Sequence, residues 1–110
     1  MTLLKPDSLQ VNLPLQSIAR ICQHFEVEEL KIFGSVLRGD FSPKSDIDFL
    51  VKFLNDDAGE WGCKYSDMAD ELTTLLGRKA EVVSQRAVEQ SDNYLRRKRI
   101  LTEAKTIYVT

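Results

Sequence analysis

The sequence predicts an α+β domain: a small mixed β-sheet packed against helices. Two kinds of pattern support this. Residues 29–33 alternate polar and apolar, and 46–53 and 80–84 are mostly apolar runs, all of strand length. Residues 15–25 and 65–76 instead repeat their apolar side chains with the period of a helix. At 110 residues the chain is large enough for one core.

Residues 1–12, with Pro6 and no clear period, read as a loose arm. A helix is expected from Pro14, since proline suits a first helical turn, and Leu15, Ile18, Ala19, Cys22 and Phe25 form one stripe along it. His24 falls one position off that stripe and reads as a partly exposed helix residue. Leu30 and Ile32 share a face of the first strand, which ends at Gly34-Ser35. A short helical piece through Val36, Leu37 and Arg38 follows, and Gly39, Pro43 and Ser45 break the chain before the second strand, 46–53. So short a connection sets paired strands side by side. Residues 55–64 form a polar loop in which Trp61 reads as a lid on the edge of the core. Tyr65, Met68, Ala69, Leu72, Leu75 and Leu76 make the clearest helical stripe, with Gly77 placed to end it. A third strand spans 80–84, a last helix spans about 93–104 on the thin apolar face of Tyr94, Leu101 and Ala104, and Ile107 and Val109 suggest a closing strand. Arg96, Arg97, Lys98 and Arg99 are consecutive and wrap that last helix. Arg97 and Lys98 fall between Tyr94 and Leu101 on its stripe, where one or both could reach a ligand or an acidic partner, a solvated basic helix with snorkelling stems being the commoner outcome.

Composition narrows the functional classes. A net charge of −2 and a pI near 5.4 argue against a general grip on nucleic acid, so a nucleic-acid module built on Arg96–Arg99 is disfavoured. Cys22 and Cys63 lack metal-type spacing and need not pair. No apolar run has membrane-spanning length and the N-terminus lacks a signal-peptide pattern, so the cytoplasm is the expected compartment.

Chemistry concentrates between Phe33 and Phe53. Asp46 and Asp48 alternate with Ile47 and Phe49, so both carboxylates face one way from the strand. Side by side they repel, and a bound divalent cation keeps both ionised. Gly34-Ser35 offers backbone N–H groups with no Cβ in the way and a hydroxyl, which suits a phosphate. Glu81 sits inside an otherwise apolar strand and calls for a partner: a metal ligand, or a general base facing Asp46 and Asp48 across the sheet. An edge strand with Glu81 turned to water is the plainer alternative. A phosphate ligand could approach these acids only with cations, so one or two Mg²⁺ are expected with it.

Gly34-Ser35, ten intervening residues, Asp46-x-Asp48 and a later acidic strand residue resemble the nucleotidyltransferase superfamily related to DNA polymerase β. The runs Phe33-Gly34-Ser35-Val36-Leu37-Arg38-Gly39-Asp40 and Ser45-Asp46-Ile47-Asp48-Phe49-Leu50-Val51 are similar to the minimal, MNT-type members. The resemblance implies a polymerase β-like fold over residues 13–110 as a single minimal nucleotidyltransferase domain. It implies Asp46, Asp48 and Glu81 as catalytic metal ligands, and Gly34, Ser35, Arg38 and Ser45 as nucleotide-binding residues. It implies an antitoxin that transfers AMP from ATP, with Mg²⁺, to a tyrosine hydroxyl of a partner HEPN-type RNase toxin. With 110 residues and no acceptor-holding domain, the acceptor is expected on another protein. The alternative is a non-catalytic, nucleotide-binding antitoxin that occludes its toxin. One departure stands out. The superfamily's third acid is usually aspartate, and the extra methylene of Glu81 lengthens its reach by about 1.5 Å.

Overall fold

The structure, a computed structural model, describes residues 2–3, 13–34, 46–54 and 63–110. In chain order these form β1 (Thr2–Leu3), α1 (Leu15–His24), β2 (Val27–Phe33), β3 (Ile47–Phe53), α2 (Cys63–Leu76), β4 (Ala80–Ser84), α3 (Gln85–Glu89), α4 (Tyr94–Glu103) and β5 (Lys105–Val109). The five strands make one mixed sheet in the order β1-β5-β2-β3-β4. β2 pairs antiparallel with β3 and β5, whereas β3 and β4 run parallel. A parallel pair needs a crossover, and α2 supplies it. The α+β class and the mixed sheet expected from sequence are both present.

The sheet has helices on both faces, and strand alternation sorts the side chains between them. Ile47, Phe49, Val51 and Phe53 of β3 point to the larger core with Leu30 and Ile32 of β2, closed by Ile18, Ala19 and Cys22 of α1 and Met68 and Leu72 of α2. Burial there pushes the Cys22 thiol up to about 12, which leaves it an inert core residue. On the opposite face Phe33 and Leu50 meet Val88 of α3 and Ile100 of α4, with Val83, Leu101 and Ala104 packed around them. Gly77 ends α2 at φ +71, and Thr73 near that end accepts a hydrogen bond through Oγ1 from the Ala80 N–H (2.9 Å), tying the crossover to β4.

Four features depart from expectation. The arm contains a strand, because Thr2 and Leu3 pair with Val109 and Tyr108. β2 starts two residues early, at Val27, after a turn in which Glu26 takes φ +58. Residues 85–89, between the expected third strand and last helix, form α3, whose N-cap Ser84 accepts from the Ala87 N–H (3.1 Å). The buried residue of α4 is Ile100, while Tyr94 is 57% exposed, so the helix is turned from the stripe expected through Tyr94. Trp61 and the short helical piece at 36–38 lie outside the described residues. Among the described residues, no helix is long and apolar enough to cross a membrane.

Candidate active site

β3 and its two neighbours assemble the site. Asp48 shares its face with Leu50, which turns it toward the α3–α4 side, and Asp46 lies just before the strand begins. In the parallel register Asp48 is the partner of Glu81, so the two acids sit abreast on one face. In the antiparallel register Asp48 is the partner of Phe33, and Gly34 follows. Gly34 is buried with φ +87, and a Cβ there would run into Oδ2 of Asp48. Only glycine permits both this backbone conformation and this approach.

The Asp48 carboxyl is pushed up from its ordinary 3.8 to about 6. Burial is the main cause, followed by the charge of Glu81, a hydrogen bond shared with Glu81 and the charge of Asp46; Arg96 pulls the other way. Between these two values an unfolded chain has released the Asp48 proton while the folded chain retains it. Folded stability therefore falls as pH rises through this window, and the loss is complete above about 6. In a metal-free buffer, thermal melts should show a larger drop in Tm from pH 5 to pH 7 for the wild type than for Asp48→Asn. Equal drops would mean that Asp48 carries no such strain.

Glu81 lies both at an edge and beside Asp48. β4 is an edge strand of the described sheet, and Glu81 is 46% exposed with Oε1 3.5 Å from Nζ of Lys79, yet it also abuts Asp48. Among the described residues, no three histidine, cysteine or acidic side chains are grouped as a ready metal cage. The donors that do approach one another are all carboxylate oxygens, which suit a hard cation. Mg²⁺ in particular is commonly held by one or two carboxylates together with substrate phosphates. Ser35, Arg38 and Ser45 lie outside the described residues.

One contribution escaped the sequence reading. A cavity of about 170 Å³ beside Asp48 is lined by Phe33, Gly34, Arg96, Arg99, Ile100 and Glu103. Among the described residues, the cations that reach the site are thus Arg96 and Arg99, rather than the Arg97 and Lys98 of the expected stripe. Ile100 gives the signal that could have found them, since residues three and four apart share a helix face and burying Ile100 carries Arg96 and Glu103 with it.

The polymerase β nucleotidyltransferase model matches residues 16–110. The chain belongs to this nucleotidyltransferase family. A protein of Methanocaldococcus jannaschii named for protein adenylyltransferase activity is 34% identical over 67 residues, an alignment covering 61% of this chain and 65% of that protein. The chain thus spans somewhat less than two thirds of that relative's length. A solved structure described as a minimal nucleotidyltransferase is 27% identical at a TM-score of 0.62, over 83% of this chain and 86% of its own. A chain of the complex between tri-AMPylated HEPN toxin and MNT antitoxin from Shewanella oneidensis shares the fold at a TM-score of 0.54 and 18% identity, over 87% of this chain and 70% of its own. In this chain the register sets Asp48 on β3 opposite Phe33, the last residue of β2, with Asp46 just before β3 and Gly34 just after β2.

Proposed function

We propose that this family member transfers AMP from ATP to a tyrosine hydroxyl of a partner HEPN-type toxin, and so acts as its antitoxin in the cytoplasm. The observation that carries the reading is that the Asp48 carboxylate fills the space a Cβ on Gly34 would need, beside Asp46. Nothing about a stable core calls for a half-buried, like-charged acid pair against a left-handed glycine, whereas a phosphate and a cation together do. The relative named for adenylyltransferase activity and the AMPylated toxin complex support the choice of nucleotide and acceptor.

In this reading Asp46 and Asp48 hold Mg²⁺, with Glu81 completing the set. When bound, the metal supplies positive charge to the phosphates and lowers the pKa of the attacking hydroxyl. The tyrosine oxygen forms a bond to the α-phosphorus while the bond from that phosphorus to the bridging oxygen breaks, and pyrophosphate leaves. Glu81, open to solvent beside Asp48, takes the phenolic proton. Gly34 and Ser35 hold the terminal phosphates by backbone N–H and hydroxyl donors, Ser45 adds a hydroxyl, and Arg38 offsets charge on the leaving group.

The rival reading is binding without transfer, and the lean of Glu81 toward Lys79 favours it. Purified protein incubated with Mg²⁺, labelled ATP and its HEPN-type partner should place one AMP or more on partner tyrosine, with an equal amount of pyrophosphate released and none in EDTA. A toxin neutralised while it remains unlabelled would leave occlusion as the function.

A further inference from the structure

The reaction just described uses none of the four consecutive cations of α4, and the structure separates them. Arg97 donates through one terminal nitrogen to the Ser91 carbonyl (3.1 Å) and lies over the Tyr94 ring at 5.4 Å. Lys98 lines an outer hollow with Leu95, Thr102, Arg99 and Glu103, which does not include Asp48. Arg96 and Arg99 line the cavity that also holds Asp48 and Gly34. Nε of Arg99 is 3.4 Å from Oε1 of Glu103, whereas no carboxylate among the described residues lies within ion-pair distance of Arg96.

The position of Arg96 is locally unfavourable. Asn93 caps α4 by accepting the Arg96 N–H (3.1 Å), so Arg96 lies in the first turn, where a helix presents positive charge and favours acids. That turn holds no acidic residue to offset it. A cation kept against the local rule, facing a cavity, is the kind of conflict expected where function sets the residue. The cavity is also small. At about 170 Å³ it falls below the ~300–1,000 Å³ of sites that enclose whole small molecules, so it fits part of a ligand.

We propose that Arg96, with Arg99 beside it, is the wall of the site that grips the phosphate chain of the nucleotide, opposite the bare backbone of Gly34. The assignment deepens the nucleotidyl-transfer reading and rests on it for the identity of the ligand. The guanidinium fork of Arg96 donates to phosphate oxygens in planar pairs, which a lysine could not reproduce. Arg99, already held by Glu103, fixes the second edge. Because both come from one helix face packed through Ile100 onto Phe33 and Leu50, they are positioned by the small core rather than by a loop.

Titrating the full-length chain with ATP, and separately with inorganic tripolyphosphate, both with Mg²⁺, tests this directly. Arg96→Gln should weaken both ligands about tenfold or more, the scale of one charge-assisted contact. Lys98→Gln removes the same charge from the same helix and should change neither by more than about twofold. Thermal melts taken beside the titrations should show both variants folded, so that a lost affinity reads the phosphate contact and not the fold. Equal affinities of wild type and Arg96→Gln, or an equal loss in Lys98→Gln, overturns the assignment. A wild-type chain that binds ATP through Arg96 but labels no partner refutes the transfer and leaves the phosphate wall standing. A chain that binds neither ligand refutes both.

Discussion

Replacing Asp46 and Asp48 together with asparagine should lower nucleotidyl transfer by about a thousandfold or more while leaving a folded protein. A metal-held charge on a transferring phosphoryl group contributes several kcal/mol to the transition state, and each ~1.4 kcal/mol is a factor of ten in rate. Asparagine keeps the shape and volume of each side chain but holds a cation poorly. Removing the Asp48 charge also relieves a buried acid that Glu81 and Asp46 both oppose, so loss of activity should come without loss of Tm in metal-free buffer. Initial rates with labelled ATP, read beside thermal melts, decide the matter. Transfer within tenfold of wild type would sink the assignment of the two aspartates. A double variant that protects cells as well as wild type would show that neutralisation does not need the chemistry.

Gly34→Ala should be the most damaging single methyl group in the site. It meets two separate obstacles: φ +87 costs an L-residue about 1–2 kcal/mol, and the new Cβ collides with Oδ2 of Asp48. Asp48 cannot retreat freely, since Glu81 lies abreast and Phe33 and Leu50 pack on the same face. The carboxylate is displaced, and displacement by about an ångström is enough to cost about a hundredfold in rate. A fall in Tm of roughly 5 °C or more should accompany it, from the backbone strain alone. Gly77 provides the comparison. It also has positive φ, at +71, but a Cβ there meets open space, so Gly77→Ala should lower Tm with transfer intact. If both alanine variants retain activity, the approach of Gly34 to Asp48 has no functional meaning.

The parts of this fold that could be read in advance are those whose signal is local. β3 and β4 are short, mostly apolar runs of strand length, α2 carries a complete stripe, and Gly34 and Gly77 punctuate where the chain turns. β1 was illegible because two residues have no period; it exists only through β5, at the other end of the sequence. α3 offers a single buried apolar residue, Val88, and its one local cue is the Ser84 cap. For α4 the apolar content is so low that two stripes compete, one through Tyr94 and one through Ile100. Packing against Phe33 and Leu50 chose the second. That rotation decided which cations meet the site. Glu81 could be flagged from its apolar neighbours, but whether its strand lay at an edge depended on the sheet order, which no short window of residues contains.

The sheet also separates what keeps this molecule folded from what lets it act. Among the described residues, sixteen buried ones form the core on the α1–α2 side, against four on the side of Asp48. Residues on opposite sides of a sheet share few partners, and changes at such distant sites add nearly independently. Descent can therefore alter the acid pair, the arginines and whatever docks over them while the deeper layer carries the stability. A chain of 110 residues, with little to spare, keeps its capacity for change on one side of a sheet.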